Sequence, residues 1–164
     1  MEEFSAKDVR ITRASQKQLY SITVMTRRYF PYTNFSMDAI LKRLKKKNVI
    51  YFVALYKGHT IGFVDIEFKK DYAKILGLAV LEEFRSNGIG SKLLKKALAC
   101  IKLRKKKSAC MLVAVDNQAA LRLYARYGFK VRGRLYRKIN GKGILLVEKN
   151  PKAGDNKSQT KNKQ

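Results

Sequence analysis

The strongest constraint on this chain's fold is the stretch at residues 75–103, ILGLAVLEEFRSNGIGSKLLKKALACIKL. An apolar run passes through an arginine and two glycines into apolar residues at helical spacing, which predicts strand, turn and helix in succession. A glycine-rich turn at that junction lets backbone N–H groups converge where the helix dipole adds favourable charge, so the stretch has the character of an anion site. Two familiar phosphate loops can be set aside. The pattern G-x-G-x-x-G fails because Leu93 stands at its third glycine, and the P-loop fails for lack of a glycine at the required position ahead of Gly90. What remains is R-x-x-G-x-G, Arg85 to Gly90, which alone suits a structural turn as well as a ligand site.

Around this unit the pattern alternates between strand and helix. Residues 9–13 (VRITR) have period-two alternation, and Ser15 caps a helix that must end before Pro31, since the residue ahead of a proline avoids the helical region. Residues 29–35 (YFPYTNF) then form an aromatic loop, and Ser36 opens a second helix with Ile40, Leu41 and Leu44 on one face. Two strand-like runs, residues 49–57 and 60–69, flank a Gly58-His59 turn, and a third follows at 72–81. Residues 109–115 predict a central strand. Asp116 or Asn117 caps a helix carrying Ala120, Leu123 and Tyr124, with Gly128 just beyond its end. Residues 129–139 and 142–149 close the chain as a hairpin around Asn140-Gly141. The order β-α-α-β-β-β-α-β-α-β-β predicts a mixed α/β (α+β) fold with a mostly antiparallel sheet.

A chain of 164 residues suits one domain with one core, here residues 1–149, and the lysine-rich residues 150–164 lack large apolar side chains and are expected to be disordered. Lys and Arg number 37 against 12 Asp and Glu, for a net charge of +25 that favours anionic partners. Acidic residues near the N-terminus and no apolar segment behind them argue against a secretory signal, and no apolar run approaches the ~20 residues that span a bilayer. The lone His59, together with Cys100 and Cys110 outside any metal-ligand spacing, excludes a metal site and a disulfide framework. A soluble cytoplasmic protein is expected.

Leu78, Ala79 and Val80, followed by E-E-F-R-S-N-G-I-G-S, and the downstream N-x-x-A-x-x-L-Y-x-x-x-G-F at Asn117, Ala120, Leu123, Tyr124, Gly128 and Phe129, resemble the two motifs of the GNAT superfamily of N-acetyltransferases. The run F-P-Y at Phe30, Pro31 and Tyr32 looks most like the RimI and archaeal N-terminal α-amino acetyltransferase branch. The resemblance implies a GNAT fold, with about seven strands in a mixed, mostly antiparallel sheet flanked by about four helices. It also implies an enzyme that moves an acetyl group from acetyl-CoA to a primary amine. The α-amino group of a protein or peptide N-terminus, ribosomal proteins included, is the expected acceptor.

In that resemblance, backbone amides of Arg85, Ser86, Asn87, Gly88, Ile89, Gly90 and Ser91 hold the pyrophosphate. The edge of Leu78, Ala79 and Val80 pairs with pantetheine as an added strand, and Asn117, Ala120, Leu123 and Tyr124 complete the cofactor site. Tyr124 protonates the leaving thiolate, which a phenol can do because it stays protonated at neutral pH. A general base is expected on the fourth or fifth strand, but Lys74 and Leu112 stand there. Glu67 and Asp65 are the nearby carboxylates, with Glu67 or a water relay taking the role. Phe30, Pro31, Tyr32 and Tyr136 line the acceptor groove, or else the aromatic residues only pack. The basic surface suits ribosomes. Rival readings are a small-amine acetyltransferase, disfavoured by the scarcity of acids, and a silent fold that binds RNA.

Overall fold

The computed structural model describes residues 3–150. Seven strands form one sheet in the order β1-β2-β3-β4-β5-β7-β6. In chain order the elements are β1 (Arg10–Arg13), α1 (Leu19–Tyr29), α2 (Met37–Lys45), β2 (Val49–Tyr56), β3 (His59–Phe68), β4 (Tyr72–Val80), α3 (Ile89–Leu103), β5 (Ser108–Ala114), α4 (Gln118–Arg126), β6 (Lys130–Arg134) and β7 (Ile144–Lys149). Every pairing is antiparallel except that of β4 with β5. No helix among the described residues is long and apolar enough to cross a membrane.

The sheet is covered on both faces. Under α3 and α4, Val64, Ile66, Ile75, Met111 and Val147 meet Leu93, Leu94, Ala97 and Ile101, which lie at helical spacing and are fully buried. Burying each such Leu or Ile contributes about 1.5–3 kcal/mol, which fixes α3 against the centre of the sheet. On the opposite face, Ile22 and Met25 of α1 and Ile40 of α2 pack on Val49, Tyr51, Val53 and Phe63.

The central feature is the β4–β5 pair. Pairing runs only from Tyr72↔Ser108 to Ile75↔Met111, and then the strands part. On its other side β5 stays paired with β7 from Ala109 to Ala114. On the other side of β4 the register with β3 jumps from Ile66↔Ile75 to Asp65↔Gly77, leaving Leu76 as an extra residue. Such a bulge bends its strand and raises the local twist, which carries the end of β4 away from β5.

Local details depart from the sequence expectations in two places. The β2–β3 turn centres on Lys57 and Gly58, both with positive φ (48° and 81°), whereas His59, expected in the turn, pairs with Tyr56. The closing hairpin keeps its Asn140-Gly141 turn, with φ of 50° and 71°, but β6 stops at Arg134 and β7 begins only at Ile144. Between them a single bridge, Ile139↔Lys142, holds a protruding loop. Ser36 accepts from the Ala39 amide at 3.1 Å and caps α2, and Asn117, not Asp116, caps α4. The expected disordered tail lies outside the described residues apart from Asn150.

Candidate active site

The parted strands open a cleft of about 1210 Å³ that runs from the turn ahead of α3 to the loop between β6 and β7. One end is built from the glycine turn. Ser86 and Gly88 both sit in the left-handed region, at φ 63° and 77°. A non-glycine residue there costs about 1–2 kcal/mol, so the turn at Ser86 stores backbone strain. No side chain caps α3, whose N-cap is Gly88. Its first N–H groups therefore lack intrahelical partners and point, with the positive end of the helix dipole, into the cleft. Gly90 faces Leu123 and Leu78, and a Cβ built on it would meet them at 3.5 and 3.7 Å, ordinary contact distances. The free fold thus tolerates a small side chain at Gly90, in ordinary contact with Leu123 and Leu78.

Two residues of this turn have other work. The Arg85 amide donates to the Glu82 carbonyl at 3.2 Å, so it is not available to a ligand, and the donors begin at Ser86. The Arg85 side chain donates from Nε to the Val80 carbonyl at 2.9 Å and stacks over Tyr29, 4.9 Å from the ring centre. Asn87 does not line the cleft; its Nδ2 donates to the Phe84 and Arg85 carbonyls at 3.2 and 3.0 Å and braces the turn. The remaining expected donor-side residues, Leu78, Ala79, Val80, Ser86, Gly88, Ile89, Gly90, Ser91, Asn117, Ala120, Leu123 and Tyr124, all line the cleft. Asn117 does so while its Oδ1 accepts from the Ala120 amide at 3.2 Å.

Tyr124 is buried on the inner face of α4 with its ring 6.0 Å from that of Phe129. Burial, reinforced by the nearby Tyr32 phenol, pushes its pKa up to about 12. The hydroxyl is therefore a proton donor at any neutral pH. Tyr32 itself is raised by burial and by the negative charge of Asp65.

At the other end of the cleft, Phe30 and the helical turn that follows it, with Pro31 and Tyr32, line one wall, and Phe30 packs edge-on against Phe63. The loop residues Ile139, Asn140 and Lys142 line the other wall. Tyr136 does not: the loop carries it outward and its side chain is fully exposed, because the strand expected there has ended at Arg134. Leu112 is 38% exposed and, like Lys74, lines the cleft at the strand positions where the family resemblance expected a carboxylate.

Glu67 does not fill that gap. It lies outside the cleft lining, paired with Lys69 and, at 3.2 Å, with Arg43. Its hydrogen bond from Lys69, helped by Arg43, holds its carboxyl below the usual range, which makes it a poor proton acceptor. Asp65, two residues earlier on the same face of β3, does line the cleft and is 4% exposed. Its Oδ2 accepts from Arg43 Nη2 at 2.9 Å, and Arg43 Nε donates to the Tyr51 hydroxyl at 3.0 Å. Burial pushes Asp65 up to about 6 despite the opposing Arg43 charge and the Gly77 amide. Sequence reasoning did not foresee this buried group around Arg43. The available signal was an arginine on the apolar face of α2, one turn from Ile40, opposite two acids at period-two spacing on a strand.

The cleft is electropositive, with Arg28, Lys74, Arg85, Arg122, Arg126 and Lys142 set against Asp65 and Asp116. Uncapped amides, surrounding cations and an apolar strand edge together fit a long ligand with a phosphorylated end and an amide-bearing tail.

Comparison with known proteins gives a consistent picture. Residues 17–129 match the sequence profile of the acetyltransferase (GNAT) family. An N-alpha-acetyltransferase of Sulfurisphaera tokodaii is 25% identical over 142 residues, covering 79% of this chain and 84% of that protein. The putative ribosomal protein bS18-alanine N-acetyltransferase of Bacillus subtilis is 25% identical over 116 residues, 69% of this chain and 77% of its own length. The crystal structure of Ard1 from Thermoplasma volcanium has the same fold, with a TM-score of 0.76 at 24% identity over 87% of this chain and 97% of that one.

Proposed function

Because the chain belongs to the acetyltransferase (GNAT) family, we propose that this acetyl-CoA-dependent N-acyltransferase takes the N-terminal α-amino group of a protein as its acceptor. The observation that carries the reading is the parting of β4 and β5 beyond Ile75, which opens one continuous cleft from the uncapped start of α3 to the loop at 139–142. Amides of Ser86 and of residues 88–91 take the donor's pyrophosphate, and the unpaired edge of β4 near Leu78 takes its pantetheine amides. A backbone amide of that edge polarises the thioester carbonyl as charge develops on its oxygen. The acceptor amine attacks the carbonyl carbon, the C–S bond breaks, and Tyr124 protonates the departing sulfur.

The acceptor assignment draws on two features. An aromatic wall at residues 30–32 and a protruding loop at 139–142 leave a groove between them that suits an extended chain end. Six cations against two carboxylates in the lining repel a polycationic small amine. The named relatives point the same way. The test is thiol release from acetyl-CoA across a panel of N-terminal peptides and small amines. Turnover with peptides and none with polyamines is expected; the reverse preference overturns the acceptor assignment.

The basic surface supplies the enzyme's setting. Lys45, Lys46 and Lys47, Lys69 and Lys70, and Arg104, Lys105 and Lys107 are exposed where β2, β3, β4 and β5 begin or end at one edge of the sheet, as the pairings Val49↔Glu67, Phe68↔Ala73 and Tyr72↔Ser108 show. The glycine turn lies beyond the opposite end of β4. This arrangement supports the reading that the basic end rests on a ribosome in the cytoplasm while the cleft stays free. Co-sedimentation with ribosomes at low salt that disappears at high salt is expected, and none at low salt removes the association.

A further inference from the structure

An amine that attacks a thioester must first be relieved of a proton, and the strand positions expected to supply a carboxylate hold Lys74 and Leu112 instead. Among the described residues, the carboxylates lining the cleft are Asp65 and Asp116. Asp116 is held at 2.9 Å by Lys142 on the half-exposed rim beside the α4 cap, which leaves Asp65 on the acceptor side.

We propose that Asp65 is the proton acceptor for the incoming amine, reached through the gap that Gly77 leaves in the cleft wall. The inference rests on the acetyl-transfer reading above. Gly77 is the first support. Its φ lies outside the left-handed region, so its backbone does not demand glycine. Space does: a Cβ there would stand 3.0 Å from the Phe30 ring and 3.1 Å from Asp65 Oδ1. A side chain at Gly77 would be wedged between the carboxylate and the aromatic wall of the acceptor groove.

The second support is the way Arg43 is shared. Its Nη2 meets Asp65, its Nη1 meets Glu67 at 3.2 Å, and its Nε meets the Tyr51 hydroxyl. When Asp65 takes a proton, Arg43 keeps Glu67 as counter-charge, so the buried cation is not orphaned. The groups facing Asp65 are Arg43 from α2, Tyr51 from β2, Glu67 on β3, Tyr32 from the aromatic turn and the Gly77 amide of β4, with Lys74 opposite Glu67 in register. Among these, burial dominates and sets the carboxyl near 6, so it is mainly ionised at neutral pH and ready to accept. Tyr32 feels the Asp65 charge and Tyr124 feels Tyr32, which puts the proton-accepting and proton-donating ends of the reaction in one neighbourhood.

The proton balance closes. One N–H proton of the acceptor's ammonium passes to the Asp65 carboxylate and from there to solvent. The freed lone pair forms the C–N bond as the carbonyl π pair moves onto oxygen, and the C–S bond breaks when that adduct collapses. The second N–H proton, shed when the adduct collapses, replaces the one that Tyr124 gives to sulfur.

The test compares wild type with Asp65→Asn, Gly77→Ala and Glu67→Gln for coenzyme A affinity and for the pH dependence of turnover with one N-terminal peptide. Asp65→Asn is expected to lose at least about 100-fold in turnover, to keep coenzyme A affinity, and to lose the activity fall that wild type shows as pH drops through about 6. Gly77→Ala is expected to raise the KM for the peptide at least tenfold, and Glu67→Gln, which removes the other counter-charge of Arg43, to move the acid limb to lower pH. Asp65→Asn within threefold of wild type, or still showing the acid limb, overturns the proposal while acetyl transfer stands. Wild type that binds coenzyme A but acetylates no amine overturns both.

Discussion

Gly90→Ala separates what the fold requires of the glycine turn from what a ligand requires. Gly90 occupies the second position of α3, and its backbone is not in the left-handed region. An added Cβ would sit 3.5 Å from Leu123 and 3.7 Å from Leu78, in ordinary contact. The free protein should therefore gain the helix preference of Ala over Gly, up to about 1 kcal/mol. That corresponds to a rise in Tm of about 2–4 °C for a chain of this size. Coenzyme A binding should move the opposite way. The methyl group projects over amides that the pyrophosphate must approach closely, and losing one hydrogen bond to a charged oxygen costs about 1.5–3 kcal/mol. The expected loss in affinity is about 10- to 100-fold. Gly88→Ala is the internal control: nothing lies within 4 Å of its Cβ, but its φ of 77° strains any other residue. It should lower stability by about 1–2 kcal/mol. Thermal melts and calorimetric titration with coenzyme A read both quantities. A Gly90→Ala protein that binds coenzyme A as tightly as wild type refutes the anion cradle. One that melts lower than wild type refutes the reading that the fold accepts a Cβ there.

Tyr124→Phe removes one hydroxyl and should cut turnover by about 10²-fold, with coenzyme A affinity unchanged. Because the phenol is pushed up to about 12, wild-type activity should show no alkaline fall from this group below about pH 11, and a pKa near 9 that vanishes in the variant would contradict the assignment. Arg43→Met strands Asp65 and should destabilise by about 3–5 kcal/mol at pH 7.5. The sign with pH follows from the carboxyl: without the Arg43 charge Asp65 is raised further than in wild type, so the loss should shrink as pH falls toward about 6 and level off below it, a trend that urea melts across that range would show or deny. Asn117→Ala deletes the α4 cap and should cost about 1 kcal/mol, visible as a Tm lower by about 2–4 °C.

Much of the donor site was legible in the linear chain because its determinants are local. Glycines at a strand-to-helix junction, a capping Asn117 and a Tyr124 seven residues further on form motifs whose spacing survives in one dimension. The acceptor side was less legible. Tyr136 was expected in the groove because its place in the closing hairpin resembles that of a family tyrosine that touches peptide backbone, but the ladder opens after Arg134 and turns that residue out to solvent. Glu67 and Asp65 are indistinguishable by spacing, since both fall on one face of β3. Only packing separates them: Lys69 and Arg43 hold Glu67 outside the cleft, and Gly77 leaves Asp65 beside it.

The sequence by itself determined the order of elements, the glycine turn ahead of α3 and the place of Tyr124 on α4, because hydrophobic period, turn chemistry and caps act over a few residues. Tertiary structure alone decided that β4 leaves β5 after Ile75, that Arg85 is tied to Val80, and that Asp65 meets Arg43 on one side and the cleft on the other. Those outcomes depend on pairings between residues far apart in the chain, and a buried charge takes its pKa from whatever those pairings bring against it.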